Sequence, residues 1–159
     1  MQVLVLYYSR SGHTRSLAEE VARGVESSGA AFLLKDTSQV KKEDFTQSAG
    51  IIAGSPVYFG VMAAELKKVF DDFVGVRKKM EDKVGAAFAT AGHVTGGKET
   101  TLFSILQCMM IYGMIIVGDP LSASGHYGVA CVGRPDKTAV SDAYKLGARV
   151  GSLCQRLQK

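Results

Sequence analysis

Short unbroken apolar runs alternate along this chain with longer stretches in which apolar residues return every three or four positions. The runs are Val3–Tyr8, Ala31–Lys35, Gly50–Gly54, Val84–Ala89 and Met114–Val117, and each suits a strand buried on both faces. The last is expected to resume at Val129–Val132. Thr14–Ser28 spaces Leu17, Val21 and Val25 four apart and ends at Gly29, a helix with a glycine stop. Met62–Val74 collects Met62, Leu66, Val69, Phe70 and Phe73 on one helical face. Glu99–Tyr112 shows Leu102, Leu106, Met109 and Met110, and Lys137–Leu157 shows Ala143, Leu146, Val150, Leu153 and Leu157. Only Asp36–Ser48 has weak helical character. This order predicts an α/β fold, an open sandwich around a parallel sheet. Without a repeat, linker or low-complexity segment, residues 1–159 read as a single domain.

Composition narrows the function. With 47% hydrophobic and 21% charged residues over 159 positions, the chain can bury a substantial core and does not resemble a disordered one. The net charge of +4 is spread over Arg10, Arg15, Lys41, Lys42, Lys67, Lys68 and Arg77–Lys79, with no basic run of the kind that binds nucleic acid. The start, Met1–Leu6, lacks a basic flank, and Cys108–Gly118 falls short of the roughly 20 apolar residues that span a bilayer. The expectation is a cytoplasmic protein with no membrane span. Cys108, Cys131 and Cys154 are odd in number and far apart, fitting reduced thiols better than a disulfide frame or a zinc site. The dispersed histidines and cysteines give no metal constellation. Met109, Met110 and Met114 read as core or subunit-contact filler.

In a parallel sheet, ligands bind beyond the carboxyl ends of the strands, and three loops there have unusual composition. Ser9-Arg10-Ser11-Gly12-His13-Thr14 offers three hydroxyls, a glycine and backbone N–H groups at a helix start, a set suited to a phosphate dianion. A lone hydroxyl would suffice for an ordinary N-cap. Ser55-Pro56-Val57-Tyr58-Phe59-Gly60 presents two aromatics on a stiffened turn, able to line a planar ring or simply to cover the helix that follows. Thr90-Ala91-Gly92-His93, continuing through Val94 and Thr95 to Gly96-Gly97-Lys98-Glu99, exposes N–H groups to the edge of a heterocycle. A fourth segment, Gly125-His126-Tyr127-Gly128, lies near the same rim and places His126 and Tyr127 as substrate-side candidates. Gly92–Lys98 also has the G-x-x-x-x-G-K spacing of a nucleotide P-loop, but Glu99 stands where a metal-binding hydroxyl is required. A phosphoacceptor signalling domain would need acids after the first strand, where this chain has Ser9.

Together these segments resemble flavodoxin-like flavoproteins, and most closely the NAD(P)H:quinone oxidoreductases related to the tryptophan-repressor-binding protein family. The likeness rests on Val3–Ser9 with Gly12-His13, on Gly54–Gly60 with Met62, on Gly96–Thr100 and on Gly113–Val117. The chain departs from that pattern in its short Gly75–Lys83 connection, in having no tryptophan, and in carrying Ile111-Tyr112 where the family has a histidine. The resemblance implies a flavodoxin-like three-layer sandwich with a five-stranded parallel sheet in the order 2-1-3-4-5. It also implies non-covalent FMN, held by Ser9, Arg10, Ser11, Gly12, His13 and Thr14 at its phosphate. Pro56, Val57, Tyr58, Phe59 and Gly60, and Thr90, Ala91, Gly92, His93, Gly96 and Gly97, would surround the ring. The implied activity is two-electron reduction of a quinone-like acceptor by NAD(P)H in a homo-dimer or homo-tetramer, with His93, His126 and Tyr127 near the acceptor. The alternative is a flavodoxin-type electron carrier. Such carriers are typically acidic and hold the ring between aromatics from both loops, whereas this third loop has none.

Overall fold

The computed structural model describes residues 1–157. Strand β1 (Gln2–Tyr7) leads through α1 (His13–Ser27) to β2 (Ala31–Asp36), and through α2 (Lys42–Gln47) to β3 (Gly50–Tyr58). A two-residue strand β4 (Val61–Met62) precedes α3 (Ala64–Asp72) and a 3₁₀ segment (Val74–Lys79). The chain then runs through β5 (Val84–Ala91), α4 (Lys98–Ile111), β6 (Ile115–Ile116), β7 (Val129–Val132) and α5 (Lys137–Leu157). The sheet order is β2-β1-β3-β5-β6, all parallel, with β7 pairing β5 further along and β4 folding back antiparallel on β3.

The fifth position is thus shared. Ile115 and Ile116 pair with Val84 and Gly85, and Val129–Val132 pair with Phe88–Ala91, so the expected resumption of the strand is realised in line. Across its five positions the sheet has the expected order. Alternation in β1 sends Val3 and Val5 to one side and Leu4 and Leu6 to the other. The first side is covered by α1 and α5 through Leu17, Val21, Leu146 and Val150. The second is covered by Phe45, Leu66, Phe70, Ile105 and Met109. Both faces being dry, the strands read as unbroken apolar runs.

The pattern-based reading and the structure part most at the end of β3 and the start of α3. β3 continues through Ser55–Tyr58 because Ser55 and Pro56 still pair with Ala89 and Thr90 of β5 while Val57 and Tyr58 pair with Met62 and Val61, so most of the second loop is strand. Helix α3 begins at Ala64, two residues late, because Met62 is taken up by β4. The weak α2 is held at both ends: the Lys41 N–H donates to Asp44 Oδ2 at 2.8 Å, and Lys83 Nζ donates to the carbonyls of Phe45, Thr46 and Ser48. Its periodicity is poor since tertiary hydrogen bonds supply what propensity does not.

Candidate functional site

From β1 the chain crosses to β2 on one side, and it later returns to place β3 on β1's other side. The order reverses there, and the carboxyl ends of β1, β3 and β5 stand next to one another, leaving a crevice between diverging connections. Two helices start at that end, and both are opened by glycine in the left-handed region, Gly12 at φ 91° and Gly97 at φ 98°, with no side-chain cap. Their first-turn N–H groups are therefore open to a ligand. The ordinary capping role of the Ser9–Thr14 hydroxyls is absent. Ser9 Oγ accepts the Gly12 N–H at 3.1 Å, which leaves the Ser9 proton free to donate outward.

Arg10, Ser11 and Gly12 are exposed, Ser9 and His13 are partly buried, and no acid occurs between Tyr8 and Ala18. An anion would meet hydroxyls, amides, the positive end of α1 and Arg10, with no repelling carboxylate in the loop. Thr14 differs from its neighbours. It is buried, and its Oγ1 lies 2.8 Å from Thr90 Oγ1, joining the first loop to the end of β5.

Tyr58, Phe59, Gly60 and Val61 form a two-residue hairpin turn in which Phe59 (φ 52°) and Gly60 (φ 79°) both take positive φ. That is the turn that matches strand twist, but it normally carries Asn or Gly where this chain places a phenylalanine. The Phe59 ring stands fully exposed at the tip. The hairpin is fixed from below: the Ala63 N–H donates to Ser55 Oγ (2.8 Å) and the Met62 N–H to Ser104 Oγ (3.0 Å). It also abuts the third loop, for a Cβ on Gly97 would come within 2.8 Å of the Gly60 Cα. Tyr8 faces Tyr58 edge-on at 6.5 Å, and hydrogen bonding to the Glu65 carboxylate raises the Tyr8 pKa.

Thr90 and Ala91 belong to β5, while Gly92–Thr95 are exposed and the Gly96 N–H donates to the His93 carbonyl at 3.1 Å. The structure therefore brings all three loops together. His126 and Tyr127 line a cavity of about 490 Å³ that also takes in Asp119 and the outer edge of β7 and meets the third loop at its last two residues, Lys98 and Glu99. Tyr127 stacks against Phe103 at 4.7 Å. Sequence reasoning missed the Ser55 and Ser104 anchors and Tyr8 with Glu65, and it met Asp119 only as a strand-end aspartate loosely like that of a P-loop protein, not as the buried carboxylate it is.

Asp119 is 6% exposed and neither carboxylate oxygen has a hydrogen-bond partner. Burial, and then the Asp142 carboxylate, push its pKa from 3.8 up to about 6. Since the folded pKa exceeds the unfolded one, the protonated residue is tolerated below about pH 4 and stability falls as pH rises to about 6. Asp119→Asn should therefore raise stability at pH 7.5 by about 1–3 kcal/mol, the upper figure holding only without solvent screening. Urea unfolding at pH 7.5 checks this, and the gain should vanish at pH 4.

A parallel sheet of this order, with two uncapped helices and an aromatic hairpin meeting over its reversal point, defines a flavodoxin-like α/β protein. The WrbA-like flavodoxin of Agrobacterium tumefaciens superposes with a TM-score of 0.82 at 24% identity, over 98% of both chains. The chain belongs to the NADPH-dependent FMN reductase family, whose model matches residues 1–128. It is 32% identical to an NAD(P)H dehydrogenase (quinone) of Archaeoglobus fulgidus, over 98% of both chains. It is also 33% identical to a flavodoxin of Aquifex aeolicus, covering 94% of this chain and 84% of that one. Among the described residues no group of side chains suits a metal ion, and no helix is long and apolar enough to cross a membrane.

Proposed function

We propose that this chain, as one flavin-binding domain, is an FMN-dependent oxidoreductase that uses NAD(P)H to reduce quinones or similar acceptors by two-electron transfer. The observation that carries the reading is the pair of uncapped, glycine-opened helix starts, one flanked by free hydroxyls and a cation, the other abutting an aromatic hairpin. These residues fit FMN. Ser9, Ser11 and the first N–H groups of α1 would hold the phosphate, with Arg10 adding charge. Pro56–Gly60 and Gly92–Gly97 would bracket the ring and donate to its polar edge. When bound, FMN supplies the hydride-accepting and hydride-donating chemistry.

The protein's part is to orient and to shield. Val57 and Met62 pair across the hairpin base and bury its inner side, and Phe59 can cover one face of a planar ring. The third loop brings His93 and Val94 and no aromatic, which leaves the opposite face free for a nicotinamide or a quinone to stack. His93 is exposed on that side. His126 and Tyr127, in the cavity beside β7, would reach the acceptor past Lys98 and Glu99 at the start of α4. The outer face of α4 carries exposed Phe103, Met110 and Ile111, and no charge occurs between Thr100 and Gly118. Copies of the chain would pair through it as a homo-oligomer, which sedimentation velocity measures.

Anaerobic addition of NADH or NADPH to the FMN-loaded protein should bleach the visible flavin band within seconds, and a benzoquinone should restore it. Flavin that stays oxidised under either nucleotide would move the assignment to the electron-carrier reading, which the Aquifex aeolicus relative's name favours.

A further inference from the structure

We propose that Thr90 is a positioning residue for the phosphate end of the flavin, acting through Thr14 without touching the cofactor. The inference rests on the FMN reading above and adds a residue role to it. Thr14 lies in the first turn of α1, and Thr90 is the penultimate residue of β5, 76 positions later. Both are nearly inaccessible, at 2% and 5% exposure, and their hydroxyls meet at 2.8 Å. In that dry setting neither hydroxyl can exchange its partner for water, so losing one leaves the other unsatisfied.

The two ends of this bond differ in rigidity. Thr90 is set in the ladder from both sides, opposite Pro56 on β3 and Cys131 on β7. The α1 start is opened by Gly12, has no side-chain cap, and projects three exposed residues, Arg10–Gly12, before it. Helix starts without caps fray. The Thr14–Thr90 pair ties this turn to a fixed strand, and so sets where the N–H groups of His13 and its neighbours point. It also links the phosphate loop to the strand from which the ring-side loop Gly92–Gly97 departs. That buried contact thereby helps set the distance between the two halves of the flavin site.

The test uses FMN and riboflavin, which share the ring and ribityl chain and differ in the phosphate. Each is titrated into the flavin-free full chain by fluorescence quenching. Thr90→Val keeps the shape and removes the hydroxyl, and should weaken FMN roughly tenfold while changing riboflavin less than about twofold. Thr90→Ser should restore FMN affinity. In the Thr14→Val background, Thr90→Val should add nothing further, as expected of two groups acting as a unit. Equal loss for both flavins would mark Thr90 as a general packing residue and overturn the proposal, as would no loss for FMN. A wild-type protein that binds riboflavin as tightly as FMN would instead remove the phosphate-loop reading beneath it.

Discussion

Replacing Gly12 by valine is expected to weaken FMN retention at least a hundredfold. Gly12 holds φ at 91°, and a Cβ built there has no protein atom within 4 Å, so it projects into the open space of the first loop. That space is where an anion must approach to meet Ser9, Ser11 and the α1 amides. A branched side chain would fill it and would also resist the left-handed backbone, at about 1–2 kcal/mol. The strain alone is too small to unfold a domain of ordinary stability. Circular dichroism should therefore remain native while flavin is lost on gel filtration, with Gly12→Ala intermediate. Undiminished retention in the valine variant would place the phosphate elsewhere.

Replacing Gly147 by leucine is expected to have the largest effect on stability. Helices α1 and α5 cross at contact distance, because a Cβ on Gly147 would overlap the Val21 carbonyl and one on Gly24 would overlap the Tyr144 carbonyl. The clashing atoms are main chain and cannot turn away. A leucine must separate the helices and open the cluster of Leu17, Val21, Val25, Leu146 and Val150. The cost should exceed ~4 kcal/mol, beyond the usual range for overpacking, since no side-chain rearrangement relieves it. The midpoint of urea unfolding at pH 7.5 measures this. A shift worth less than about 1 kcal/mol would show that the α1–α5 approach is looser than described.

Pattern alone located most of the fold, because both faces of the sheet are dry and the helices are amphipathic. Val3–Tyr8, Val84–Ala89 and Lys137–Leu157 were legible to within one or two residues. What escaped was set by tertiary contacts. The extension of β3 to Tyr58 depends on its pairing with β5 and on the backward turn onto Val61, neither of which leaves a periodic trace. The site was legible where composition is unusual, as in the hydroxyl-rich Ser9–Thr14 loop. That composition could not separate hydroxyls facing outward from Thr14, which faces the interior, since the partner lies 76 residues away. Nor could it tell that His126 and Tyr127 line a cavity beside β7 that meets the third loop only at Lys98 and Glu99, for the path from β6 to β7 has no regular structure to place them.

All of this depends on the first loop, the Pro56–Gly60 hairpin and the Gly92–Gly97 segment holding a single FMN. A crystal structure of the protein saturated with FMN tests it most directly. Phosphate oxygens should lie within hydrogen-bonding distance of Ser9 or Ser11 and the amides opening α1, with the ring between Phe59 and His93. Electron density for the flavin in the cavity beside Asp119, with the α1 start left free, would contradict it.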